Sequence, residues 1–249
     1  MRIKTFFLII IFSLGFLLFS QEATDLVSQG DQMYAERENL SKAKEAMGKY
    51  HEALLKATDK YAVYWRLAKT EYFLGVRATS DKEKKAIFEQ GIYHAKKAVE
   101  LAPDKAEGHF WLGVNYGVYG EAKGVLKSLS LVKPIKNEMN KVIELNRELE
   151  GGGADRALGR VYFKLPGFVG GSNDKSLEHL LKSKEICSSN ALTRIYLADT
   201  YQALKKADKA REELEYVINM EPDPRWIPET KELKEEAKKM LQKKEFQKK

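Results

Sequence analysis

The chain has 249 residues, of which 43% are hydrophobic and 32% charged. That balance is too apolar for a disordered chain and too polar for a polytopic membrane protein. Its formal charge is +7, but 43 basic residues stand against 36 acidic ones and the run 231–249 interleaves Lys with Glu. The segregated basic face that nucleic-acid binding needs is therefore not expected.

The N-terminus opens on Met1-Arg-Ile-Lys4, followed by an apolar run from Phe6 to Phe19 and an abrupt polar turn at Ser20-Gln-Glu. This is the layout of a secretory signal peptide, with cleavage expected after Ser20. The run is short for a spanning helix. An uncleaved anchor is the alternative, and would be the chain's one membrane contact. Residues 1–20 are thus read as a signal segment and 21–249 as one exported domain, periplasmic or secreted. The lone cysteine, Cys187, suits an oxidising compartment and excludes a disulfide framework or a Cys-rich zinc site.

The rest of the chain is helical and repetitive. The clearest unit, 191–224, places Leu197, Ala198, Tyr201, Ala210, Leu214, Val217 and Pro222 at the signature spacing of the 34-residue tetratricopeptide (TPR) pattern. A small residue lets the two helices of a pair approach, large ones fill the seam, and the late Pro stops the second helix. Leu67-Ala68, Leu112-Gly113 with Tyr116, and Leu158-Gly159 with Tyr162 repeat the first half. Ala46, Tyr50 and Ala53, then Ala95, Ala98 and Pro103, repeat the second half, and Ser176, Leu180 and Ser183 form a degenerate set. The spacings place extra residues around 76–85 and 121–133, and a Gly- and Pro-rich loop at 165–174. The expected fold is all-α, a TPR-like α-solenoid of about five helix pairs (27–60, 61–105, 106–149, 150–190 and 191–224). A capping helix follows at about 228–246.

No catalytic motif accompanies this pattern. The chain lacks His-Glu-x-x-His, a phosphate loop ending in Gly-Lys-Ser/Thr, and a dinucleotide fingerprint after a strand. His51, His94, His109 and His179 lie on separate predicted helices without ligand spacing. Adjacent acids such as Glu212-Glu213 point to different sides of a helix. No catalytic residue, metal site or cofactor is expected, and the chain is read as a non-enzyme.

In TPR arrays the first helix of each pair lines the concave face. Mapped onto that rule, the second pair offers Trp65, Lys69 and Tyr72, the third Phe110, Val114 and neighbours, and the fourth Arg156, Arg160 and Phe163. An apolar lining suits a hydrophobic ligand or an amphipathic partner segment. Core packing is the competing role for Trp65, Phe110 and Phe163, and a solvated surface for Arg156 and Arg160.

Three stretches extend the pattern: Tyr34-Ala-Glu-Arg37-Glu-Asn-Leu-Ser-Lys-Ala43; Ala106-Glu-Gly-His-Phe-Trp111-Leu-Gly-Val-Asn115-Tyr-Gly117; and Leu158-Gly-Arg-Val-Tyr162-Phe-Lys-Leu-Pro166 with Gly170-Gly171 and Asp174-Lys175. With the export signal, they resemble the T component associated with bacterial tripartite ATP-independent periplasmic (TRAP) transporters, the TatT family. The resemblance implies degenerate TPRs, a periplasmic substrate-binding protein as partner, hydrophobic or organic-acid ligands, and self-assembly into a small homo-oligomer. It adds Trp111 and Asn115 to the candidate binding residues. Members of that family are often lipoproteins, whereas this chain has no cysteine near residue 20. A second, weaker resemblance is to the eukaryotic regulators of microtubule dynamics, with a similar helical arrangement. The alternative function is a general cell-envelope TPR scaffold without a ligand cavity.

Overall fold

A computed structural model describes residues 21–243 and Phe246. The export segment expected at 1–20 lies outside the described residues. Among those residues every regular element is helical, as the sequence pattern predicts. The chain divides into two compact units, one through Leu129 and one from Ser130.

The first unit holds α1 (21–35), α2 (Leu40–Lys56), α3 (Tyr61–Arg77), α4 (Asp81–Leu101) and α5 (Ala106–Lys123), and α6 (Val125–Asn146) begins in it. Here α2 packs on α3, α3 on α4, and both α3 and α4 on α5. The second unit holds most of α6, then α7 (Leu149–Lys164), α8 (Asn173–Ile186), α9 (Ala191–Ala203), α10 (Ala207–Asn219) and α11 (Ile227–Leu241). Consecutive helices from α7 to α11 pack on one another, and α9 also touches α7 and α11. The order of pairs follows the five units and capping helix expected from the sequence.

Local chemistry sets the helix starts. Asn39, Ser80, Ser172 and Asn190 each accept a hydrogen bond from a backbone N–H two or three residues on. These bonds satisfy donors that the first turn leaves open. At Ser80 the residue at the third helical position is Glu83, the Ser-x-x-Glu arrangement of a capping box.

The seams are filled as the TPR spacing requires. Ala46, Tyr50, Ala53, Leu67, Ala68, Ala95 and Ala98 are buried in the first unit, and Leu158, Leu180, Leu197, Ala198, Tyr201, Ala210, Leu214 and Val217 in the second. The extra residues around 76–85 do not form a long loop. They lengthen α3 and α4 to 17 and 21 residues, against 13 each for α9 and α10. The stretch holds no Pro or Gly until Gly91, so the helix continues wherever it can bury a face. The second insertion does the same in α5 and α6, which only Gly124, at φ +101°, separates. Pro134 is accommodated inside α6. The 165–174 segment is a shaped loop, turning through Gly167–Val169 and closed by Gly171 N–H to Pro166 O and Ser172 N–H to Tyr162 O.

The start of α7 runs through three consecutive left-handed residues. Glu150, Gly151 and Gly152 all have φ between +51° and +71°. A Cβ on Gly152 would stand 2.9 Å from Ser183 Cα, so neither the torsion nor the space accepts a side chain. Gly152→Ala should therefore lower stability by about 1–3 kcal/mol. Gly48→Ala, in mid-helix with open space around its Cβ, should raise it by about 0.5–1 kcal/mol. Urea unfolding of the two variants beside the parent checks both signs.

Candidate functional site

In the first unit, Trp65, Lys69 and Tyr72 lie along α3 and are half-buried. Lys69 Nζ sits 5.4 Å from the Tyr34 ring centroid and 5.5 Å from that of Trp111, within reach of both π faces. Tyr72 meets Trp111 at 5.7 Å, and Trp111 meets Phe110 edge-on at 4.9 Å. The guanidinium of Arg66 lies 4.2 Å over Trp65 while its nitrogens hold the Asp31 carboxylate at 2.8–3.1 Å. The result is a row of aromatic rings and cations across α1 and α3, backed by α5.

The α5 candidates stand differently. Phe110 and Trp111 are buried, and Asn115 is wholly enclosed. Its Nδ2 donates to Ala68 O at 3.1 Å and Trp111 O at 2.8 Å, tying α5 to α3. Its Oδ1 faces Gly91 of α4, so closely that a Cβ there would come within 2.3 Å, and it finds no hydrogen-bond donor. Asn115 thus clamps three helices at their crossing. Val114 is half-buried on the same helix.

In the second unit, Arg160 pairs with Asp199 of α9 at 2.6 Å. Its guanidinium also lies 4.3 Å over Tyr196 and 5.2 Å over Phe163. Arg156 is buried and donates to the carbonyls of Glu150 and Gly151, holding the left-handed turn that opens α7. Phe163 is half-buried.

Sequence reasoning passed over two buried polar centres. In the first unit, His94 Nδ1 donates to both oxygens of Glu71, at 2.8 and 2.9 Å, with both residues buried. Burial pushes the Glu71 carboxyl up, against the pull of His94. The neighbouring His51 ring, 5.7 Å away, is pushed down by burial and by His94. In the second unit, Asp155 has no exposed surface and receives hydrogen bonds from Arg147 at 2.7 and 3.1 Å and from His179 Nδ1 at 2.8 Å. His179 stacks flat on Tyr162. Each centre joins residues 23 to 24 apart in sequence, and no short motif announces such a pair. A charge at a helix position otherwise reserved for the seam was the one available sign. Among the described residues no group of three His, Cys, Asp or Glu side chains is placed to hold a metal.

Burial by itself would raise the Asp155 carboxyl, but the hydrogen bonds from His179 and Arg147 outweigh it and hold it below the usual range. A carboxyl held low stabilises the fold above its unfolded pKa, about 3.9. That stability disappears as the pH falls through the lower folded value. Urea midpoints of the parent should drop below about pH 4, and Asp155→Asn should remove that part of the pH dependence. The α3 and α5 residues separate by stability. Phe110→Ala should cost about 3–5 kcal/mol, as for a buried aromatic, while Trp65→Ala should cost less than half of that and keep the helical circular dichroism.

Comparison with known proteins places these features. The fold is similar to that of a thermophilic TPR protein from Thermus thermophilus, with a TM-score of 0.65 over 88% of this chain and 98% of that one, at 17% identity. In sequence the chain is 26% identical over 126 residues to Regulator of microtubule dynamics protein 1 of Bos taurus, covering 50% of this chain and 38% of that protein. It is 29% identical over 83 residues to the Rattus norvegicus protein of the same name, covering 33% and 27%. The chain thus spans under two fifths of the length of these relatives. The model of the family described as Regulator of microtubule dynamics protein 1-3 matches residues 26–150, half of the sequence and the part that carries the α1–α3 row and the Asn115 clamp, and the chain belongs to that family.

Proposed function

We propose that this chain is a non-enzymatic protein-binding scaffold whose docking face is the α1–α3 row of the first unit, centred on Trp65, Lys69 and Tyr72. The observation that carries this reading is the half-exposed state of those three side chains, with Tyr34 beside them and buried Phe110 and Trp111 behind. Aromatic rings with interleaved cations bury large area at low rotamer cost, the composition found where interfaces concentrate their energy. A TPR-like scaffold supports such a face by holding α3 rigidly against α4 and α5.

The partner class follows from the sequence. The positive start, the apolar run from Phe6 to Phe19 and the polar exit support export, with 21–249 as the working domain. The resemblance to the TRAP-associated T component then supports a periplasmic substrate-binding protein as partner, with an apolar or organic-acid ligand carried between them. Arg160, which holds Asp199 and lies over Tyr196 and Phe163, is the residue proposed to orient an acidic group in the second unit by exchanging Asp199 for it. The name shared by the Bos taurus and Rattus norvegicus relatives would instead supply a cytoskeletal partner, and an exported chain would never meet one.

Cross-linking in the native cell envelope, followed by mass spectrometry, tests the reading. A Trp65→Ala, Tyr72→Ala double variant should lose the captured partner by at least about tenfold, as two interface anchors of this kind do, with its circular dichroism unchanged. Capture equal to the parent's removes the α1–α3 face from the proposal. Recovery of the chain only in the cytoplasm removes export and the periplasmic partner.

A further inference from the structure

The start of α6 exposes what the rest of the fold hides. Val125 is 76% exposed, Leu126 85% and Leu129 37%, three aliphatic side chains within the first five residues of one helix. A buried face is available to the same helix and is occupied by Leu131, Ile135, Met139 and Val142, so these three are not the near side of its core stripe. Gly124, at φ +101°, interrupts the helix between α5 and α6, and the three follow directly on this corner.

Within the chain itself the corner is basic, while Glu121 precedes it and Glu89 reaches it from α4. Lys123 and Lys127 flank Val125 and Leu126, with no acid between Glu121 and Leu129. The first turn of α6 carries no acidic residue, although an N-terminal dipole favours one. Glu89 is the acid of a neighbouring helix that reaches the corner, accepting a hydrogen bond from Tyr119 Oη and standing 3.9 Å from Lys123 Nζ. Lys123 and Lys127 both lie against the Tyr119 ring, at 5.2 and 5.9 Å. Exposed aliphatics flanked by Lys123 and Lys127, both of which lie against the Tyr119 ring, form the pattern of a segment that lies in a bilayer interface. A second copy of the chain would bring its own Lys123 and Lys127 against these.

The geometry points to the α6 corner, Val125, Leu126 and Leu129 with Lys123 and Lys127, as a docking site for an anionic lipid surface. Val125, Leu126 and Leu129 enter the boundary between headgroups and acyl chains, and the lysines meet lipid phosphates. This is a peripheral attachment. Among the described residues no helix is long and apolar enough to cross a membrane. It stands independently of the protein-binding face on α3.

The full chain carries the apolar run from Phe6 to Phe19, which itself partitions into lipid, so the test must read the corner directly. An environment-sensitive label is placed on Val125→Cys in a Cys187→Ser background and exposed to vesicles of phosphatidylcholine with 30% brominated phosphatidylglycerol. A label on Leu181→Cys, an exposed position on α8, serves as reference. The Val125 label should be quenched at least about threefold more than the reference, and less on vesicles in which the same share of brominated lipid is phosphatidylcholine or when Lys123→Glu and Lys127→Glu are added. Equal quenching at both positions overturns the proposal. So does quenching that ignores the lysine changes, or a label at Val125 that responds to protein concentration rather than to vesicles, which would make the corner a contact between copies.

Discussion

Close approach of helix backbones is the constraint on which both units rest. In both units, helices that pack closely contribute residues with almost no side chain: Ala46 and Ala53 on α2, Ala68 on α3, Gly91, Ala95 and Ala98 on α4, Gly159 on α7, Ala198 on α9, Ala210 on α10. The large residues then fall in place around the crossing, with Leu67, Leu158, Leu180, Leu197 and Leu214 fully enclosed. Interiors packed at crystal density feel the addition of a single methylene. At Gly91 a Cβ would stand 2.3 Å from Asn115 Oδ1 and at Gly159 2.6 Å from Leu180, so the small residue is a condition of the crossing rather than a convenience.

Several polar groups enter this apolar scheme where they lock it. Asn115 donates to carbonyls on α3 and α5 from a fully enclosed position, and Asp155 collects Arg147 and His179 in the second unit. Ser176 with Thr200 and Ser183 with Thr193 close the degenerate seam of α8 against α9 with hydroxyl pairs at 2.9 and 3.0 Å. There a sequence without the usual alanines still reaches close contact, because paired hydroxyls are small and satisfy each other. Partnered groups of this kind fix one register between helices that apolar contacts alone would leave free to slide.

These two facts explain which features are legible in the sequence. The small-large spacing is a property of each helix alone, so residues 191–224 and their relatives along the chain disclose the helix pairs and the buried seams by periodicity. The insertions are legible in length but not in form. Nothing local distinguishes a loop from a longer helix at 76–85 until a face to bury is known. The polar centres are invisible for a different reason. Glu71 and His94, or Asp155 and His179, are meaningful only as pairs across two helices, and each alone resembles any surface charge. Trp111 and Asn115, taken as binding residues from a motif, owe their places to packing across α3, α4 and α5.

The repeat rule assigns the same outward role to corresponding positions on α3, α5 and α7, yet their surroundings differ. On α3, Trp65, Lys69 and Tyr72 keep part of their surface in water. On α5, Phe110 and Trp111 are covered because α5 packs directly on both α3 and α4. On α7, Arg160 already holds Asp199 and covers two rings. A partner gains most by burying apolar surface that water still touches and that the fold already holds rigid. Phe110 has little left to offer a partner directly, and acts by fixing Trp111, on which Tyr72 leans at 5.7 Å. The binding capacity of the first unit is therefore concentrated on α3, and α5 supplies the stiffness that lets α3 bind without first being ordered.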